Sequence, residues 1–387
     1  VAFVAGTLGR AGAEKQLWYM TRALRAMGVE VHLFSVTQGE HYESLFVADG
    51  LPPRWFGAAR GPLGRTLALS REIRRLRPHI VQAAHCYTGI YAAITARLCG
   101  AISIGAMRND ARYEMDVNGR WGRLLLSTPT ALIANSQAAI DGAVALGVPA
   151  EKLHLLPNAI DLEAFDKQAF SAQASHAAAP LPVRDRVVAI AVGRMVTAKR
   201  FDRFICALAR ARREAPELMG VIAGDGPERA ALEQCAADQG LSSQDLVFLG
   251  ARGDVPALLG NAAMLVSSSD HEGFPNVVLE AMSARLPVIA TPAGDAGRIV
   301  QEGLTGHVVP FDALDAMSAR MVELARSPQT RKRFGDAARH QVEQEYSDRV
   351  LGVRLLTLYR QITVQDHRLD LARLVPEPFH KPVLTVL

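Results

Sequence analysis

Cysteine is sparse in this chain and what there is lies scattered: Cys86, Cys99, Cys206 and Cys235 among 387 residues. None stands in a Cys-x-x-Cys spacing, which argues against a zinc site or a redox pair. Four isolated thiols read instead as small buried side chains in a reducing compartment. Long apolar runs are missing too. No uninterrupted stretch approaches the roughly 20 residues of a spanning helix, and no charged, apolar and cleavable leader is present, so the expectation is a cytoplasmic protein. Val1 already falls inside an apparent strand. Excess charge of one sign is slight: 43 Lys and Arg face 39 Asp and Glu. With no basic surface interleaved with aromatics, a nucleic-acid partner is not expected. The balance of 49% apolar to 21% charged residues excludes neither folding nor solubility, and it indicates neither disorder nor a fibrous class.

What the sequence does have is alternation. "VAFVAGTLGRAGAEKQLWYMTRALRAMGVEVHLFSV" reads as a strand, a glycine-bearing turn, an amphipathic helix with Leu17, Met20, Leu24 and Met27 at helical spacing, and a second strand. Helices and strands continue to alternate through "HIVQAA", "ISIGA" and "ALIANS", which implies a parallel sheet covered on both faces. "DKQAFSAQASHAAAPLPVRDR" then breaks the pattern and is the candidate linker. Alternation restarts at "VVAIAVGRM". The length suits two domains. The expected division is an N-terminal domain over 1–165, a linker over 166–186 and a C-terminal domain over 187–345. A helix over 346–365 could cross back to the first domain, and a tail over 366–387 carries no assignable pattern. Two open parallel sheets suggest a cleft with ligands at the carboxyl ends of the strands.

The strand-end loops carry the residues suited to chemistry. "GTLGRAGAEK" places Gly6, Gly9 and Gly12 between a strand and a helix start, where backbone N–H groups could meet an anion or the glycines could simply make a tight turn. It is not Gly-x-Gly-x-x-Gly, and no acid clearly marks a ribose site further on, so nicotinamide binding is discounted. "VGRMVTAKRFD" sets Arg194 and Lys199 between a strand and a helix, a pair suited to a diphosphate, although isolated cations are usually solvated surface charge. In "AGDGPER", Gly224 and Gly226 would leave room for a ligand or form a plain turn. "DHEGFPNVVLEAM" has Glu272 before a helix and Glu280 within it, with free N–H groups between. Two such acids could be a hydrolytic acid and base, or a cap and a surface charge.

Together these blocks resemble the retaining glycosyltransferases of the GT-B fold, specifically the large family 4 and relatives such as glycogen synthase and sucrose synthase. The resemblance runs from "GTLGRAGAEK" through "LLPNAIDLEAF", "VGRMVTAKRFD" and "AGDGPER" to "DHEGFPNVVLEAMSARLPVIAT", whose two glutamates match the family's Glu-x7-Glu signature. It implies an α/β fold of two doubly wound Rossmann-like domains facing a central cleft, with a nucleotide sugar, usually UDP-linked, bound by the second. Arg194 and Lys199 would hold the diphosphate, Glu280 the ribose, and Glu272 with the backbone of Gly273, Phe274, Pro275 and Asn276 the sugar. Gly12 and Gly224 would line the donor, and Arg252 in "VFLGAR" would sit at the base edge. His85 resembles the histidine near the reacting sugar, and Gly9 and Arg108 would lie on the acceptor side. Two blocks depart from the family: Ala159 replaces a frequent glycine in "PNAID", and Ala11 precedes Gly12 where two glycines are common.

The implied reaction moves a sugar, with retained configuration, to a saccharide or lipid-linked saccharide acceptor in polysaccharide or glycolipid assembly. There is no Asp-x-Asp metal motif. Arg194 and Lys199 could neutralise the leaving diphosphate instead, so neither an essential metal nor another cofactor is expected. A nucleotide-sugar epimerase and a non-catalytic sugar-nucleotide-binding subunit are the alternatives. All the excess positive charge lies in residues 1–165, with 17 Lys and Arg against 13 Asp and Glu. Seven arginines, at 54, 60, 65, 71, 74, 75 and 77, sit beside Leu67, Leu69, Ile73 and Leu76. That stretch could be a solvated helix face or could rest on an anionic membrane. The sugar, the nucleotide, the linkage and the oligomeric state are not legible.

Overall fold

The computed structural model describes residues 1–59, 61–109, 111–174 and 186–366. Arg60 of the basic stretch, residues 175–185 of the expected linker and residues 367–387 of the expected tail lie outside the described residues. The chain divides into two units. The first takes Val1–Ala134, Ala143–Leu156 and the chain from Leu351; the second takes Asn135–Gly142 and Pro157–Val350.

The first unit holds seven parallel strands: β1 (Ala2–Ala5), β2 (His32–Ser35), β3 (Arg54–Trp55), β4 (Ile80–Ala83), β5 (Ile102–Met107), β6 (Ala131–Ala134) and β7 (Leu153–Leu155). Their order in the sheet is β3-β2-β1-β4-β5-β6-β7. The second unit holds six: β8 (Val187–Val192), β9 (Leu218–Ala223), β10 (Leu246–Gly250), β11 (Met264–Ser267), β12 (Val288–Ala290) and β13 (Gly306–Val308). These run β10-β9-β8-β11-β12-β13, again all parallel. This is the doubly wound α/β organisation that the alternation implied.

Strands buried on both faces need apolar side chains at nearly every position. "AFVA", "ALIA" and "LMGVIA" meet that demand and are buried throughout. In β8 the two-residue period then sorts the side chains. Ala189 and Ala191 pack with Phe204 and Leu208 on one face, while Val188 and Ile190 pack with Leu258 and Leu265 on the other. The one fully buried polar residue of β4, Gln82, accepts a hydrogen bond from Tyr359 Oη in the last described helix, Asp348–Asp366. Burial raises the Tyr359 phenol well above its ordinary value, so it stays a donor.

Two expectations change. Residues 166–174, read as linker, continue the helix Leu162–Ala174, whose Phe165 and Ala169 are buried against the second unit's core. The basic stretch also divides differently. In the helix Gly61–Leu76, Leu69 and Ile73 are fully buried in the first unit's core. Burial of each is worth about 1.5–3 kcal/mol, so neither turns toward a membrane. The outward face instead carries Leu63 (83% exposed) and Leu67 (60%), with Arg71 and Arg74 also exposed. Among the described residues no helix is long and apolar enough to cross a membrane.

Candidate functional site

In each sheet the order reverses beside its first strand, between β1 and β4 and between β8 and β11. Connections leave these neighbouring strands in opposite directions and open a crevice at their carboxyl ends, where ligands of such sheets bind. In the second unit the crevice is bordered by the loop after β8, with Arg194 and Lys199, and by the loop after β11, with Glu272. Lys199 Nζ lies 2.5 Å from Glu272 Oε1, an ion pair across 73 residues of sequence whose side chains are 23% and 11% exposed. Ser269 Oγ donates to the same Oε1 at 2.7 Å. Arg194 is exposed and has no side-chain partner among the described residues. A largely buried carboxylate thus holds one cation of the β8 loop, while a second cation of the same loop is exposed to solvent.

The rest of the β11 loop presents main chain. Phe274 turns its ring inward, 7% exposed and 6.0 Å from the Tyr346 ring, so what it offers a ligand is its backbone. Pro275 precedes the first turn of the helix Asn276–Ser283, and Asn276 Oδ1 accepts from Asn158 Nδ2 at 2.9 Å. Glu280 lies one turn on from Asn276, on the half-buried stripe, while Val278, Leu279, Ala281 and Met282 face the core. Glu272 and Glu280 therefore sit at the two ends of one loop and helix start.

Gly224 differs from the ligand-space reading. Its φ is +151°, and a Cβ there would stand 1.8 Å from the Gly193 carbonyl oxygen, so the glycine lets the β9 loop close against the β8 loop. Arg252, after β10, commits its guanidinium to Asp254, with Nε to Oδ1 at 2.8 Å; that hydrogen bond raises the arginine's pKa and lowers the aspartate's. Gly294 was not singled out in the sequence. At φ +56° it packs beneath the β11 loop, where a Cβ would meet the carbonyls of Glu272 and Gly273 at 2.4 Å. The neighbouring Asp295 accepts from the backbone N–H groups of Gln137 (2.8 Å) and Ala138 (3.0 Å). The Gly-Asp pair in "TPAGDAG" was the available signal.

In the first unit, the β1 loop and the turn after β4 meet at His85. Its Nδ1 accepts from the Gly6 N–H at 3.2 Å, which puts the neutral ring's proton on Nε2, 3.1 Å from Glu14 Oε1. Tyr87 stacks on the ring at 5.4 Å. Sequence reading missed Glu14, a residue of the first turn of the helix Gly12–Ala26 that is only 3% exposed and whose Oε2 has no hydrogen-bond partner among the described residues. Arg108, beyond β5, belongs to the same buried neighbourhood: burial pulls its guanidinium down to about 10, with Glu14 acting to raise it. The loop's own N–H groups are largely occupied. Leu8 donates to Glu40 Oε2, Gly9 to Thr7 Oγ1 at 3.1 Å, and Ala11 to the Gly9 carbonyl at 3.1 Å. Burial would raise the Glu40 carboxyl, yet hydrogen bonds from Thr37, Leu8 and Thr7 hold it below the ordinary range. Gly12 opens the helix without a side-chain cap.

Residues 174–341 match the family described as glycosyl transferases group 1, and residues 10–164 match glycosyltransferase family 4. Among similar sequences, the alpha-D-kanosaminyltransferase of Streptomyces kanamyceticus is 27% identical over 216 residues, 56% of each chain. A GDP-mannose-dependent alpha-(1-6)-phosphatidylinositol monomannoside mannosyltransferase of Mycolicibacterium smegmatis is 31% identical over 182 residues, 45% of this chain and 48% of that one. The chain thus spans about half the length of these relatives. Among solved structures, Anabaena Alr3699/HepE in complex with UDP and glucose superposes with a TM-score of 0.77 at 20% identity, covering 93% of this chain and 98% of that one. The apo lipopolysaccharide outer core galactosyltransferase WaaB gives 0.71 at 18%, covering 94% and 99%. The fold is GT-B.

Proposed function

The chain belongs to the group 1, family 4 glycosyltransferases, and from that we propose that it transfers a sugar from a nucleotide sugar to a saccharide or lipid-linked saccharide acceptor, retaining configuration at the anomeric carbon. The observation that carries this reading is the Lys199–Glu272 pair at the β8/β11 crevice, with Arg194 exposed on the same β8 loop. A UDP-sugar is the proposed donor; UDP in the superposed HepE structure supports that choice.

Breaking the bond between the anomeric carbon and the diphosphate leaves an anion and a cationic sugar. Arg194 and Lys199 supply fixed positive charge to that anion, which is where such charge lowers the barrier most. The guanidinium can take two oxygens at once, and the ammonium, swinging on its flexible stem, can exchange Glu272 for phosphate. Glu272, released from Lys199, would then accept hydrogen bonds from hydroxyls of the sugar, and Glu280 from those of the ribose. These cations supply the neutralisation that a divalent ion supplies elsewhere, so transfer should survive chelation by EDTA. In a same-face displacement the departing phosphate oxygen accepts the acceptor's proton, consistent with both His85 nitrogens being engaged by Gly6 and Glu14.

A thermal-shift screen of UDP-, GDP- and ADP-sugars tests the donor assignment. UDP-sugars should stabilise the protein most, and stabilisation by none of the three classes would refute nucleotide-sugar binding. For the acceptor side we place the outward face of the helix Gly61–Leu76, with Leu63, Leu67, Arg71 and Arg74, against an anionic lipid surface. Flotation with liposomes should then depend on anionic lipid. The epimerase and non-catalytic readings gain nothing from the matched families.

A further inference from the structure

The largest fully buried side chain of the described residues belongs to a cation, Arg203, in the helix Phe201–Arg212. Burying a guanidinium is costly, and an apolar side chain of similar size would pack a helix on a sheet at least as well. Its contacts are therefore informative. Arg203 Nη1 donates to the Ser268 carbonyl at 2.6 Å, and Nη2 donates to Asp270 Oδ1 at 2.9 Å and to Asp312 Oδ1 at 2.6 Å. Arg200, at the left-handed φ of +47°, donates from Nη1 to Asp270 Oδ2 at 2.9 Å, so the two arginines share one carboxylate. The same loops are joined through the main chain. Asp270 N–H donates to the Ala198 carbonyl at 2.9 Å, and Ser268 Oγ lies within donating distance of the carbonyls of Lys199 (3.1 Å) and Arg200 (2.8 Å).

We propose that Asp270, held by Arg200 and Arg203, is a positioning residue that sets the sugar-binding end of the β11 loop against the diphosphate-binding end of the β8 loop. This rests on the donor site proposed above. Asp270 stands two residues before Glu272, and Ala198 and Lys199 are adjacent, so the clamp acts directly behind the Lys199–Glu272 pair. It also explains why the cation next to Lys199 is not a second diphosphate ligand: Arg200 is committed to Asp202 and Asp270. A site held this way keeps its spacing when Lys199 leaves Glu272 for a ligand.

The test is Asp270→Asn, with Arg203→Met as the second variant. Hydrogen exchange of the amides of residues 268–276 should be faster in both variants than in the wild-type chain. Unchanged exchange there would overturn the clamp whether or not any nucleotide binds. Calorimetry with UDP and UDP-glucose then reads the function: UDP affinity should hold within about twofold while UDP-glucose affinity falls about tenfold, because only the sugar's contacts are displaced. Equal loss for both ligands, tracking a fall in melting temperature, would mean that the residues serve stability alone and would refute the positioning role. Should the wild-type chain bind neither UDP nor UDP-glucose, nor GDP and GDP-mannose, the proposed donor site fails instead, and the exchange data still decide the clamp.

Discussion

At the scale of single residues, the Lys199–Glu272 contact makes the sharpest prediction. Each of Lys199→Ala and Glu272→Ala should lower kcat/KM by about a hundredfold, as loss of a preorganised charge in an active site commonly does. Because the two side chains touch, the double variant should fall well short of the product of the single effects, and a double-mutant cycle measures that coupling. Full additivity would mean that the pair is incidental. Glu14 yields a second prediction. Without its carboxylate, Nε2 of His85 loses its acceptor, and the plane of the ring is held only by Gly6 at Nδ1 and by the Tyr87 stack. Transfer by Glu14→Ala should slow by about a hundredfold, while nucleotide binding, which the proposed function assigns to the second unit, should stay unchanged. Nitrogen-15 spectra of histidine-labelled protein should show the His85 Nε2 resonance move as its hydrogen bond to Glu14 is lost; an unaltered spectrum would contradict the assignment. Arg194, Lys199 and Glu272 were legible in the sequence because each sits beside a local signal, a strand end or a helix start. Glu14 was not, because its partner lies 71 residues away and only the β1/β4 adjacency brings the two together.

At the scale of elements, apolar runs bounded by turns marked the longer strands, since a parallel sheet covered on both faces leaves that trace, whereas the short strands β3, β7, β12 and β13 were not read from the sequence. Helix faces were harder to read. In the helix Gly61–Leu76 an apolar stripe and an arginine run overlap in sequence. Only packing shows that Leu69 and Ile73 go to the core while Leu63 and Leu67 stay exposed. Loop-to-loop contacts were illegible for a related reason, because a glycine needed for close approach looks like a glycine needed for a turn. Gly294 tests that distinction. At φ +56° and with carbonyls 2.4 Å from any added Cβ, Gly294→Ala should cost about 1–3 kcal/mol in strain and should also weaken donor binding by shifting Glu272 and Gly273. Denaturant midpoints and nucleotide-sugar affinity should fall together. A variant that is less stable yet binds normally would show that the glycine supports the fold but not the loop.

At the scale of the whole molecule, carboxylates held below their ordinary range occur in both units, Glu40 among them in the first, while the lowered imidazoles lie in the first. Burial lowers the imidazoles of His32 and His154, both in the first unit, with Glu30 partly opposing the effect at His32. A histidine whose folded pKa is lowered binds fewer protons folded than unfolded. Its contribution to stability is therefore lost as pH falls from the ordinary value of about 6.5 toward the lowered one. In the second unit the lowered groups that acid would test are carboxylates. At Asp245, Asp270 and Glu302 burial opposes ionisation but is outweighed by hydrogen bonds and nearby cations, and at Asp254 the Arg252 hydrogen bond leads; all four are lowered. Their contribution is full above the ordinary carboxylate values of about 4 and is lost only as pH falls through the lowered folded values. Acidification should therefore weaken the first unit before the second. Calorimetric scans at pH 7, 5.5 and 4 should show the first unit's transition moving to lower temperature by pH 5.5, while that of the second holds until about pH 4. His32→Gln together with His154→Gln should remove most of the shift between pH 7 and 5.5. If the double variant moves as far as the wild type, the asymmetry arises elsewhere, and two transitions that fall in parallel would refute it outright.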